Sequence, residues 1–198
     1  MYSLKHFKAD NQEEVLAFMK AHPFITLCGV DENNESVATH LPVLFEERNG
    51  KLYLLAHAMR KQDHTIAFEK NRHVLAIFSS TDSYVSASWY DTKSVASTWN
   101  YKAVHAKGIV YFLDDKGLYD LLVKLTNHFE HTTESPAAVK HMDEKYVTDN
   151  MKAIVAFEIE LTDIQHVFKL SQNRNEVDKA SITNELNKIG INASGLVN

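Results

Sequence analysis

The sequence predicts a mainly β chain, in which strands curl into a barrel and helices pack outside it. Two observations carry this. Between Phe24 and Leu113 the apolar residues fall in short runs separated by turn-forming stretches such as DENNE and ERNG, the pattern of an antiparallel meander. Before and after that region they recur at helical spacing instead.

In chain order, Asp10 and Glu13 form a capping box, and Val15, Phe18 and Met19 then repeat at helical spacing until Pro23 stops the helix. FITLCGV, SVATHLPVLFE and KLYLLAHA read as three successive antiparallel strands, and Lys61 to Asn71 as a short helix. VLAIF (Val74 to Phe78) is a further strand, followed by an aromatic window and a strand through Ala103 to Leu113. Five or six strands suffice to close a barrel. Leu118, Leu121, Leu122, Leu125 and Phe129 mark an amphipathic helix. Ser135-Pro136 offers an N-cap and first-turn proline for another, carrying Val139, Met142 and Tyr146. Ile154 to Leu161 and His166 to Leu170 return to strand character, and Val177, Ile182, Leu186 and Ile189 form a last helix ended by Gly190. With no repeat or linker, residues 1–198 read as one domain with an N-terminal helix and a C-terminal helical appendage.

Composition excludes several classes. The 198 residues are 44% apolar, enough for a core, and the net charge of -5 with interspersed signs provides no basic stripe, so direct DNA binding is disfavoured. Cys28 is alone, which rules out an intramolecular disulfide and fits a small buried residue better than a nucleophile. No basic-then-apolar leader opens the sequence and no apolar run is long enough to span a bilayer, so a cytoplasmic protein is expected.

The window Tyr84 to His105 holds both tryptophans and three of the eight tyrosines, with serines, a threonine and Asn100 between the rings. Such a wall suits a flat, polar-edged ligand such as a flavin; the alternative is a hairpin whose aromatics fill the core. Glycine-rich phosphate motifs are absent, so a nucleotide phosphate here needs side chains. Arg60 and Lys61 end one strand, and Thr39-His40 lies in the strand before it. A hairpin between the two would bring cations beside a hydroxyl and an imidazole, although a basic pair of this kind more often solvates the start of a helix. Eleven histidines raise the question of a metal, but His128 and His131 lack a HExxH context or a cysteine partner, and no metal site is expected. No nucleophile elbow or Cys-His pairing supports hydrolase chemistry.

The strings ATHLPV (Ala38 to Val43), AHAMR (Ala56 to Arg60), YVSASWY (Tyr84 to Tyr90), TWNYKAVHAKG (Thr98 to Gly108) and FKLSQNR (Phe168 to Arg174) occur in the order found in the PaiB-type FMN-binding negative transcriptional regulators. The chain resembles that family, part of the flavin-binding split barrels that include pyridoxamine-phosphate oxidases and flavin reductases. The resemblance implies a six-stranded split barrel that dimerises with FMN at the subunit interface. It places Thr39, His40, Leu41, Pro42, Arg60 and Lys61 on the phosphate and ribityl side. It places Tyr84, Ser86, Trp89, Trp99 and Asn100 along the ring, and Lys169 as a nearby cation. Two stretches depart from the family pattern: Lys61-Gln62-Asp63 replaces an Ala-Asn-Pro turn, and Ser94 to Thr98 carries an extra residue and no proline. The implied functions are an FMN-dependent oxidoreductase using NAD(P)H, a non-enzymatic regulator or FMN-responsive binder, or a haem-binding split barrel.

Overall fold

The computed structural model describes residues 1–2 and 4–198. The chain divides into two compact units, one comprising residues 1–22, 78–105 and 165–198, the other residues 23–77 and 106–164.

The second unit is built on an antiparallel sheet. β1 (Phe24–Val30) pairs with β2 (Ser36–Pro42), from Phe24 opposite Pro42 to Val30 opposite Ser36. The turn between them is held by Asp31, whose Oδ1 accepts from the backbone N–H groups of Asn33 and Glu35, both at 2.8 Å. β3 (Leu44–Arg48) pairs with β4 (Lys51–Met59) through Asn49-Gly50, whose φ values of 52° and 72° are those of a tight hairpin turn. The run SVATHLPVLFE therefore forms two strands with different partners, not one. Val43 sits between them, buried, its N–H donating to the Pro23 carbonyl at 2.9 Å. β5 (His73–Ser79), the long β7 (Thr98–Phe112) and β8 (Ile154–Lys169) complete the order β2-β1-β5-β7-β8-β4-β3. β7 starts earlier than its apolar pattern indicated, and β8 runs unbroken through Thr162 to Gln165, because ladder pairing sustains strand where side-chain alternation lapses. A short β6 (Ser83–Val85), paired with β7, brings the strands to eight among the described residues.

Two glycines allow close packing in this unit. A Cβ on Gly108 would lie 2.5 Å from the Ile159 side chain and 2.7 Å from the Glu160 carbonyl, so β7 and β8 approach where no side chain fits. A Cβ on Gly29 would lie 2.5 Å from the Phe68 ring, which seats α2 (Asp63–Lys70) over the sheet. α3 (Asp115–Phe129) lays Leu118, Leu121 and Leu125 on Leu44, Leu55 and Ala156. Ser135-Pro136 leads only into a single 3₁₀ turn at Val139–His141. The helix beyond it, α4 (Glu144–Met151), is capped by Asp143, whose carboxylate accepts from the Tyr146 N–H at 2.8 Å.

In the first unit α1 (Gln12–Ala21) is capped by Asn11, one residue later than the expected box: Asn11 Oδ1 accepts from the Glu14 N–H, and the Glu14 carboxylate accepts from the Asp10 N–H. Phe18 packs on Phe168 with ring centroids 5.1 Å apart. β6 pairs with the start of β7, setting Tyr84 opposite Trp99. α5 (Glu176–Lys188) buries Ile182 and Leu186 against Val85, Tyr90 and Ala193, with Trp89 packed alongside. Val177 and Ile189, expected on the core stripe of α5, are 63% and 59% exposed. Asp178, on the buried face of α5, accepts from the N–H groups of Asp91 and Thr92 at 2.8 and 3.2 Å and from the Thr92 hydroxyl at 2.6 Å. The Thr92 hydroxyl, then the two N–H groups and the Arg174 charge, hold its carboxyl below the usual aspartate range. One buried carboxylate thus ties the polar break in the aromatic window to α5.

Among the described residues no helix is long and apolar enough to cross a membrane, and no cluster of three or more His, Cys, Asp or Glu is placed to hold a metal ion.

Candidate functional site

In each unit, among the described residues, a cavity gathers expected site residues. In the second unit a groove of about 420 Å³ is lined by Thr39, His40, Leu41 and Pro42 of β2, by His57, Ala58 and Met59 of β4, and by Gln62 and His64 at the start of α2. The strand segments put these side chains on one rim because β2 and β4 each end beside α2. His40 stacks on Phe24, ring centroids 6.4 Å apart. His57 Nδ1 is enclosed and has no hydrogen-bond partner among the described residues, and burial pushes its imidazole below the usual histidine value. His64 Nδ1 lies 3.1 Å from Asp63 Oδ1, whose carboxyl is held low first by the His64 N–H and then by the ring.

Arg60 and Lys61 follow this rim but do not line it. The Arg60 guanidinium lies 3.8 Å from the exposed Asp115 carboxylate, and its backbone N–H donates to the Ala153 carbonyl at 2.8 Å. An exposed pair at that distance restrains the side chain weakly. Lys61 has φ of 60°, a left-handed conformation in the loop where the sequence departs from the family pattern; Ser94, in the other departing loop, has φ of 62°.

In the first unit a cleft of about 370 Å³ takes in Asn100 and Lys169, together with Phe7, Thr98, Ser171 and Arg174. Lys169 Nζ donates to the Thr98 hydroxyl. Burial, and after it the Arg174 charge, lowers the Lys169 pKa. Asn100 is fully buried, its amide nitrogen donating to Ser171 Oγ and the Leu196 carbonyl, both at 2.8 Å, while its oxygen accepts from Ser171 Oγ at 3.2 Å. Its polar atoms are thus engaged within the protein, and it shapes the cleft wall. Tyr84 and Trp99 are 45% and 52% exposed and meet edge to face, centroids 5.7 Å apart, as an open aromatic surface. Ser86 hydrogen-bonds Ser88 Oγ at 2.8 Å, and Trp89 packs against the α5 core while its carbonyl accepts from Ser181 at 2.5 Å.

The structure therefore brings Thr39, His40, Leu41 and Pro42 together in one cavity, and Asn100 and Lys169 in another. All phosphate-side expectations fall in the second unit and all ring-side ones in the first. His57, Gln62 and His64, and in the cleft Thr98, Ser171 and Arg174, escaped the sequence reading. His57, Thr98, Ser171 and Arg174 lay inside the AHAMR, TWNYKAVHAKG and FKLSQNR strings, and Gln62 in the departing Lys61-Gln62-Asp63 loop; His64 had no such signal.

The architecture is that of the split barrels. It superposes on the FAD and heme binding protein from Mycobacterium smegmatis with a TM-score of 0.60 at 15% identity, covering 81% of this chain and 72% of that one. It also superposes on the flavocytochrome Anf3 from Azotobacter vinelandii with a TM-score of 0.55 at 17% identity, covering 90% and 78%. Within that class, residues 1–163 match the family described as "Putative FMN-binding domain", and the chain belongs to it, with FMN as its cofactor. It is 34% identical over 186 residues to the Bacillus subtilis "Protease synthase and sporulation protein PAI 2", covering 94% of this chain and 89% of the relative.

The second unit's groove fits this cofactor in kind. A ribityl chain and phosphate need several hydrogen-bonding partners at close range, and the groove offers a hydroxyl, an amide, imidazoles and the unsatisfied His57 Nδ1 among apolar walls.

Proposed function

We propose that this protein is an FMN-binding oxidoreductase that takes hydride from NAD(P)H, with the phosphate and ribityl part of FMN held in the groove of the second unit. The observation that carries the proposal is the enclosed, unpartnered His57 Nδ1 beside Thr39 and His40, a buried polar atom that costs free energy until a ligand satisfies it. Arg60 and Lys61, beside the rim, supply the charge for the phosphate, and the weak Asp115 contact leaves Arg60 free to turn toward it. Bound FMN supplies the redox chemistry; the protein positions and tunes it. The chain works as a cytoplasmic homodimer.

Absorbance spectra before and after FMN addition and gel filtration test this reading. Flavin bands co-eluting with a dimer-sized peak, and bleaching by NADH or NADPH, are expected. A flavin spectrum that neither nucleotide bleaches favours the non-enzymatic regulator or FMN-responsive binder that the family resemblance implies, acting through a partner rather than by direct contact with DNA, given the net charge of -5. A colourless protein that rejects FMN overturns the proposal. Haem is the second reading, because His40, His57 and His64 line one groove and two structural neighbours are named for heme or cytochrome. A Soret band on haemin addition, lost in His57→Ala, would establish it.

A further inference from the structure

We infer that the cleft of the first unit is a binding site for a phosphate group carried by an organic ligand, with Lys169 and Arg174 as its cationic contacts. Lys169 and Arg174 line the same cleft, no carboxylate lines it, and among the described residues neither side chain forms an ion pair. The negative group nearest to Arg174 in effect, Asp178, is buried and committed to Asp91 and Thr92.

Like charges that share a partly buried cleft without a counter-ion repel, and folding alone gives no reason to keep them there. Each is steadied from behind: the Arg174 guanidinium lies 4.5 Å from the Tyr90 ring centroid, and Lys169 Nζ is 5.6 Å from that of Phe7 and donates to Thr98. The backbone between them is strained in the same sense. Ser171 has φ of 61°, an uncommon conformation for serine, and its carbonyl accepts from the Arg174 N–H at 2.9 Å, turning the chain so that both cations face one space. An Arg fork, a Lys point charge and neighbouring hydroxyls match the several oxygens of a phosphate. The remaining volume of the cleft, flanked by Tyr2 stacked on Phe7 at 5.8 Å, accommodates the organic part. This inference does not depend on where FMN binds.

The test titrates inorganic phosphate, at constant ionic strength, into the wild-type protein and into Lys169→Ala, Arg174→Ala and the surface control Lys20→Ala, with circular dichroism to verify folding. Saturable binding that weakens about tenfold or more in both cleft variants and not in the control is expected. Acetylation of Lys169 in the wild-type protein, read by mass spectrometry, should also be slowed by phosphate while that of Lys20 is not, a readout that needs no variant. Absence of saturable binding in the wild type, or unchanged affinity in Lys169→Ala, overturns the inference.

Repeating the titration after saturation with FMN or riboflavin identifies the source of the phosphate. Binding abolished by FMN but not by riboflavin assigns the site to the flavin's own phosphate and overturns its placement in the second unit's groove. Binding that survives FMN, and is displaced by NADPH better than by NADH, assigns it to a nicotinamide nucleotide. Both outcomes uphold a phosphate site. A protein that rejects FMN altogether would sink the flavin proposal while leaving the phosphate titration readable.

Discussion

The groove of the second unit and the cleft of the first are similar in size but opposite in chemistry. The groove is built on strand ends and one helix start, is rich in imidazoles, and Arg60 and Lys61 lie outside its rim. Among the described residues the cleft contains Lys169 and Arg174 and no carboxylate, and a buried side-chain network forms its wall. A groove of the first kind selects by hydrogen-bond geometry. A cleft of the second kind selects by charge and responds to salt. The difference sets the two proposed sites apart, one reading hydrogen-bond geometry and the other charge, so variants confined to each unit test them separately.

The largest expected effect sharpens the comparison on the stability side. Ile182→Ala, at a fully buried position in the first unit, should cost about 2–5 kcal/mol by urea denaturation and weaken phosphate binding in the cleft through its disturbed scaffold. A loss below about 1 kcal/mol would show that α5 contributes little to this core. Next, Arg60→Ala should weaken FMN binding by about 1.5–3 kcal/mol, read from flavin fluorescence titration, since on the proposed placement it would remove a charged hydrogen bond to phosphate. Unchanged affinity would remove Arg60 from the site and leave the groove with neutral donors only.

Asn100→Ala should lower stability by about 1–3 kcal/mol, since Ser171 Oγ and the Leu196 carbonyl both lose a partner inside the first unit. If denaturant midpoints did not move, Asn100 would have to be reassigned from the wall of the cleft to its ligand. The smallest effect concerns pH. Because burial depresses the His57 pKa, the unfolded chain binds the proton more readily. His57 therefore contributes stability that is complete above the ordinary histidine pKa and lost as pH falls from there through the folded-state value. Thermal melts of the apo protein from pH 7.5 to 5 should show a shallower slope in His57→Gln than in wild type. His105 and His166, also depressed by burial but in the first unit, would leave the remaining slope in place.

Much of the strand content was legible because it rests on local pattern: β1, β4 and β5 fall where the apolar runs lay, and the Asn49-Gly50 turn is a property of two adjacent residues. Errors came where a neighbouring residue, or one further along the chain, claimed the hydrogen bond. Val43 breaks one apolar run into two strands because Pro23 claims its N–H. The Ser135-Pro136 cap signal yields only a 3₁₀ turn, while Asp143 caps the helix. For the sites, the sequence supplied residue types and family strings. It could not show that Asn100 is spent on Ser171 and Leu196, that Arg60 faces Asp115, or that Arg174 joins Lys169.

What the sequence determined by itself was the strand-and-helix character, the family and its cofactor, because periodicity, turn chemistry and short motifs are encoded in neighbouring residues. Only the tertiary structure decided which side chains share a cavity and which polar atoms remain unspent. Those depend on hydrogen-bond competition between segments far apart in the chain, as when residues 71 positions apart, Thr98 and Lys169, meet at one cleft.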